Sequence, residues 1–117
     1  MAPFDAFNSG AAFYSVLAHE LVHWSGHESR LARNLTGRFG DESYSAEELI
    51  AELGAAFCMA DFGLSAEPRP DHASYIASWI RCMRSDNRAI FRAASYAEKA
   101  CSFLDSLQGA SALAMAA

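Results

Sequence analysis

Apolar residues recur along this chain at spacings of three and four, the period of a helix, and no stretch alternates long enough to make a convincing strand. Four helical segments are predicted. The first covers about residues 11–25, with Phe13, Val16, Leu17, Leu21 and Trp24 at its apolar positions. Asn8-Ser9-Gly10 offers a polar cap before it, and Gly26 a stop after it. Residues 28–44 are polar, contain Gly37 and Gly40, and read as a loop with one turn around 30–34. The second helix is expected to begin near Ser45, where Ser45-Ala46-Glu47-Glu48 matches a capping box. Leu49, Ile50, Leu53, Ala56, Phe57 and Ala60 carry it to Asp61, and Gly63 ends it.

Ala66-Glu67-Pro68-Arg69-Pro70 breaks the pattern. Asp71 can then cap a third helix through Tyr75, Ile76, Trp79, Ile80 and Met83. Ser85-Asp86-Asn87 interrupts it, and Asp86 can cap a fourth helix past Ile90, Phe91, Tyr96 and Ala97 to Leu104. After Gly109 the small apolar residues have no partner face. The expectation is one mainly α domain over residues 1–108, with little or no sheet, and a disordered tail over 109–117. There is no internal repeat.

Composition narrows the function classes. A net charge of -5 argues against a surface built to hold phosphate backbones, so no nucleic acid is expected to bind this domain alone. Seven of the nine basic residues fall in two local groups, Arg30, Arg33 and Arg38, then Arg81, Arg84, Arg88 and Arg92. Solvated surface is their default reading. Three cysteines, Cys58, Cys82 and Cys101, lack knuckle or CxxC spacing, and an odd number cannot complete a disulfide framework. They read as small buried hydrophobes in a reducing compartment. No apolar run approaches the roughly 18 residues of a membrane span, and the first residues lack a basic secretion signal. A cytoplasmic protein with no membrane partner is expected.

The first helix carries the chemistry. His19-Glu20-Leu21-Val22-His23 is an HExxH motif, which places two imidazoles one turn apart on one helix face. Zn²⁺ suits such a pair: it takes histidine nitrogen in tetrahedral geometry and keeps a position for water, whose pKa it draws down towards ~7. His19 and His23 are then ligands, and Glu20 is the base that takes a proton from that water. The bland alternative is a satisfied, partly buried histidine pair. The apolar neighbours Val16, Leu17, Ala18, Leu21, Val22 and Trp24 weigh against it, because ionisable groups buried there without a partner are costly.

The third ligand stays open between two glutamates of the second helix. Glu48 and Glu52 are one turn apart, beside Ala51 and Ala55, whose small side chains let two helices approach. The capping box competes for Glu48, whereas Glu52 lies mid-helix among apolar residues, where a carboxylate without a partner is costly. His27 comes third, since Gly26 interrupts the helix before it. A long HExxHxxGxxH motif is excluded because Ser29 stands at its last position. His72 and Tyr75 share a helical face and are of the types that stabilise an oxyanion, against a plain reading of helix start and packing. Trp24 reads as a packing residue, and Arg30, Arg38, Arg81 and Arg88 as solvated surface.

These residues resemble known families. Glu48-Leu49-Ile50-Ala51-Glu52 is similar to the ExxA[D/E] pattern of gluzincins, in which the first carboxylate binds metal and the next orients a histidine; the resemblance slightly favours Glu48 as the ligand, with Glu52 orienting a ligand histidine, over Glu52 as the ligand itself. His19-Glu20-Leu21-Val22-His23-Trp24-Ser25-Gly26-His27 with Arg30-Leu31 resembles the HELxHWTGHxxRL run of the zincin-like metallopeptidase domain in ArdC-type antirestriction and polyvalent proteins. Tyr44 with the run from Glu47 to Phe57, His72-Ala73-Ser74-Tyr75-Ile76-Ala77-Ser78-Trp79 and Asp86-Asn87-Arg88-Ala89-Ile90-Phe91 continue the likeness, which spans about residues 7–104. It implies a gluzincin-type helical metallopeptidase domain of a plasmid- or phage-linked protein that protects incoming DNA from restriction. Full-length members also carry an N-terminal single-stranded-DNA-binding domain that nothing here resembles, so the chain reads as a separated C-terminal domain.

The resulting expectation is a metal-dependent peptidase. One Zn²⁺, with Mn²⁺ or Co²⁺ as substitutes, acts on a peptide or protein substrate, and the chain could pair as a homodimer. The rivals are a non-catalytic module that keeps the metal and binds a host protein, and a structural metal domain with no open position.

Overall fold

A computed structural model describes residues 1–35, 42–64 and 72–108, with only the backbone of Glu42, 72–76 and Ser78. A short 3-10 turn, Phe4–Ala6, precedes four helices: α1 (Gly10–Ser25), α2 (Glu42–Asp61), α3 (His72–Ser85) and α4 (Ala89–Ser106). There is no strand among the described residues, so the mainly helical expectation holds. None of these helices is long and apolar enough to cross a membrane. The tail over 109–117 lies outside the described residues.

Local chemistry explains most of the ends. Ser9 caps α1 by accepting a hydrogen bond from the Ala12 backbone N–H at 3.0 Å. Gly63 ends α2 in the left-handed region, φ 71°, with Gly63 N–H bonded to Ala60 O and Leu64 N–H to Met59 O, a Schellman closure. Asp86 is not the cap of α4, whose N-cap is Arg88 without a side-chain bond; Asp86 instead orders the turn before it, accepting from the Arg88 N–H at 2.9 Å and pairing with Arg92.

Two other sequence expectations change. The capping box at Ser45 does not form, because α2 starts at Glu42 and Ser45 lies inside the helix, buried. Tertiary contacts hold that first turn instead: the Trp79 indole of α3 donates to Ser45 O at 2.9 Å. Gly26 does follow the last residue of α1, but its backbone is right-handed (φ -79°). A glycine is needed there because a Cβ would sit 2.7 Å from the Arg33 guanidinium.

α2 lies at the centre and packs on both α1 and α4. Its partners present small residues. The buried positions of α4 are Ala89, Ala93, Ala97, Ala100 and Cys101, and those of α1 are Ser15, Ala18, His19, Val22 and Ser25. The large apolar residues assigned to the inner face of α1 largely do not lie there: Leu21 is 38% and Trp24 44% exposed. The small, polar stripe lets α1 come close enough to α2 for its histidines to reach the glutamates.

The helices approach closely at Gly54, where a Cβ would lie 2.7 Å from Cγ2 and 3.0 Å from Cγ1 of the fully buried Val22. Valine is stiff in a helix, so the collision cannot be relieved by rotation. Alanine would contribute about 1 kcal/mol of helix propensity, but the overpacking costs about 1–3 kcal/mol. Gly54→Ala is therefore expected to destabilise the fold in urea unfolding. A variant as stable as the parent would contradict this packing.

Candidate metal centre

The first turns of α2 and the last turns of α1 bring three ligating side chains together. His19 Nε2 and His23 Nε2 are 3.1 Å apart. The Glu48 carboxylate reaches both, at 2.9 Å from His23 Nε2 and 3.4 Å from His19 Nε2. The two contacts are made by different Glu48 oxygens, and one ligand atom from each residue lies within 4.8 Å of the others, compact enough for one small divalent ion, whose tetrahedral ligands stand about 3.3–3.4 Å apart. His19, His23 and Glu48 form such a group among the described residues.

The opposite nitrogens are held by two further carboxylates. Glu47 lies 2.8 Å from His23 Nδ1, and Glu52 lies 2.6 Å from His19 Nδ1. An Nδ1–H facing a carboxylate leaves the Nε2 lone pair free for a metal. Both rings then aim lone pairs at the same point, and only a proton or a cation between them makes that favourable. This donor set fits a divalent ion.

Glu47 is itself anchored. Arg33 donates from Nε to Glu47 Oε1 at 2.8 Å and from its terminal nitrogen to Oε2 at 3.1 Å. The same guanidinium donates to Val22 O at 2.6 Å and Ser25 Oγ at 3.1 Å, closing the C-terminal end of α1. Its side chain is 4% exposed, so Arg33 belongs to the interior and not to the solvated basic stretch. Neither Glu47 nor Arg33 stood out in the sequence as part of the site. Glu47 was passed over for Glu48 and Glu52 among the glutamates of the second helix, and Arg33 looked like one surface arginine among several.

Charge follows from these contacts. Burial disfavours the imidazolium of His23, but Glu47 and Glu48 beside it outweigh burial and raise its pKa to about 9. Burial likewise opposes ionisation of Glu48, yet the bonds from His19 and His23 bring it down to about 2. Glu47 is lowered too, His23 and Arg33 prevailing over its burial. The raised His23 pKa stabilises the metal-free fold fully below about 6.5, and that contribution is lost as pH rises through about 9. A metal must displace the same proton. Affinity for Zn²⁺ should therefore rise about tenfold per pH unit between about 6.5 and 9 and then level off, as chelator competition can measure. A flat profile would contradict the proton's place in the cluster.

The other expected residues are less central. Glu20 is exposed and borders two spaces. One is a cleft of about 330 Å³ shared with His23, Glu47, Glu48, Asn34 and Tyr44. The other is an apolar groove of about 550 Å³ shared with Leu21, Trp24, Phe62, Leu104 and Leu107. Trp24 is thus a groove wall and not a buried packing residue, with the Arg30 guanidinium stacked 3.9 Å above its ring. His27 is exposed, bonded to Ser29 Oγ at 2.8 Å, and stays outside the cluster. His72 and Tyr75 lie on α3, and their side chains are outside the described residues. Tyr44 and Asn34, which sequence reasoning did not assign a role, line the cleft instead.

Comparison with known proteins gives the chain its relatives. An uncharacterized protein, y4eC, of Sinorhizobium fredii is 49% identical over 108 residues, covering 92% of this chain and 35% of the relative. A DNA primase TraC of Escherichia coli is 44% identical over 93 residues, 80% of this chain and 9% of the primase. The antirestriction protein ArdC of plasmid R388, in its Mn(II)-bound crystal structure, superposes with a TM-score of 0.78 at 45% identity, over 91% of this chain and 39% of that one. Its metal-free structure superposes with a TM-score of 0.76. The chain thus spans well under half the length of each of these relatives. The zincin-like metallopeptidase family matches residues 1–96, nearly the whole described fold, and the chain belongs to that family.

Proposed function

We propose that this chain is the metal-dependent peptidase domain of an ArdC-like antirestriction protein. The observation that carries the reading is the convergence of His19, His23 and Glu48 on one point, with Glu20 beside them in an open cleft. His19 Nε2, His23 Nε2 and one Glu48 oxygen would hold the ion, and Glu52 and Glu47 would orient the two rings. Glu52 meets the ring nitrogen of His19 that points away from the triangle, which supports Glu48 as the ligand. Zn²⁺ suits the nitrogen-rich set, and Mn²⁺ or Co²⁺ can substitute; ArdC itself takes Mn(II).

A divalent ion bound there supplies Lewis acidity towards water and carbonyl oxygen. Glu20 takes the proton of the attacking water and returns it to the leaving nitrogen. Tyr44 and Asn34, lining the cleft, are placed to donate to the oxygen that gains charge. His72 and Tyr75 remain alternatives for that role. The apolar groove on the other side of Glu20 offers room for an apolar side chain of a peptide or protein substrate. An antirestriction role places this chemistry in the cytoplasm, and the charge of -5 supports leaving nucleic acid to other parts of the full-length proteins.

One observation favours the non-catalytic rival: the half-exposed Leu21 and Trp24 give the domain an apolar face suited to another protein, or to a second copy. Glu20→Gln separates the readings. It should leave one ion per chain and lower cleavage of a peptide library by at least about a hundredfold. Equal cleavage by the variant would remove Glu20 from the mechanism, and no cleavage by either protein would favour the binding module.

A further inference from the structure

Cys58 on α2 and Cys101 on α4 are both buried, 43 residues apart in sequence, with their sulfurs 2.7 Å apart. That is well inside non-bonded contact and roughly 0.7 Å from a disulfide bond length. Ala18 and Ala55 are buried with them, and Phe57 and Leu104 pack against the cluster. The pair is also reachable. Cys58 borders the apolar groove beside Glu20, and Cys101 borders a separate hollow between α2 and α4. Cys82 is on α3, outside this cluster.

We propose that Cys58 and Cys101 form a reversible disulfide that ties α2 to α4 when the protein meets a low-molecular-weight disulfide such as oxidised glutathione. The Cys58 thiolate attacks one sulfur of the glutathione disulfide; the Cys58–glutathione bond forms and one glutathione thiolate leaves. Cys101 then loses its proton to solvent and attacks the Cys58 sulfur, expelling the second glutathione thiolate. Two protein thiols are oxidised, and one small disulfide is reduced to two thiols.

The local environment sets the order of these steps. The contact between the two thiols lowers the pKa of Cys58, while that contact and burial raise the pKa of Cys101, whose Sγ also donates to Gly54 O at 3.1 Å. Cys58 is therefore the attacking thiol and Cys101 the resolving one. The cross-link would fix α2, the helix that carries Glu47, Glu48 and Glu52, to its main packing partner. It does not depend on the peptidase reading.

The test incubates the folded chain with oxidised glutathione, denatures it, blocks free thiols and reads the tryptic digest by mass spectrometry. The Cys58 and Cys101 peptides should be joined, Cys82 should be blocked, and dithiothreitol should reverse the link. Melting should move up by at least about 5 °C in the oxidised protein. In Cys101→Ser the reaction should stop with glutathione on Cys58. Three blocked cysteines in the unaltered chain, a link to Cys82, or glutathione retained on Cys58 with Cys101 free would each overturn the proposal.

Discussion

Glu48→Ala is expected to lower affinity for Zn²⁺ by at least about a hundredfold, the largest effect of any carboxylate substitution in this fold. Glu48 is the only carboxylate among the described residues whose two oxygens face the Nε2 atoms of both histidines, at 2.9 and 3.4 Å. Without it, two nitrogens remain, and a His₂ pair holds a divalent ion weakly at neutral pH. Glu52→Gln and Glu47→Gln act on the far side of each ring and should cost about tenfold to a hundredfold. Chelator competition on the three variants gives the comparison directly. If Glu52→Gln were the more damaging change, Glu52 and not Glu48 would be the ligand.

Arg33→Ala is expected to destabilise the protein by about 3–5 kcal/mol, because it strips the partner from a buried carboxylate. Arg33 makes four hydrogen bonds, two to Glu47 and one each to Val22 O and Ser25 Oγ. The substitution leaves Glu47 with His23 alone, and leaves Val22 O with only the Ser25 hydroxyl at the end of α1. Arg33→Lys should recover only part of the loss, since one ammonium cannot reproduce the planar fork that serves Glu47 and α1 together. Urea unfolding of the metal-free proteins measures both. A loss below about 1 kcal/mol for Arg33→Ala would place the guanidinium in solvent instead.

Much of this was legible in the sequence, and the reasons differ by residue. HExxH is readable because helix geometry alone puts His19 and His23 on one face. The four helices are readable because their apolar spacing is strong and the breakers between them are chemically distinct. Glu48 against Glu52 was not readable: both lie on one face of α2, and the choice depends on how far α1 slides along it, which the Gly54–Val22 contact sets. Glu47 was hidden because it lies off the helix face that Glu48 and Glu52 share. Arg33 was hidden because burial of an arginine is decided by the turn after α1, including Ala32 at φ 54°, which no periodicity reveals. The inward face of α1 was misread for a related reason. Its large apolar residues suggested the core, but the packing selected the small and histidine-bearing face.

The central claim is that His19, His23 and Glu48 hold one divalent ion. Anomalous diffraction at the zinc edge from crystals grown with stoichiometric Zn²⁺ tests it most directly. One peak per chain should lie about 2.0–2.2 Å from His19 Nε2, His23 Nε2 and a Glu48 oxygen, with Glu47 and Glu52 on the outer nitrogens. No peak there, or an ion held through Glu52 or His27, would contradict it.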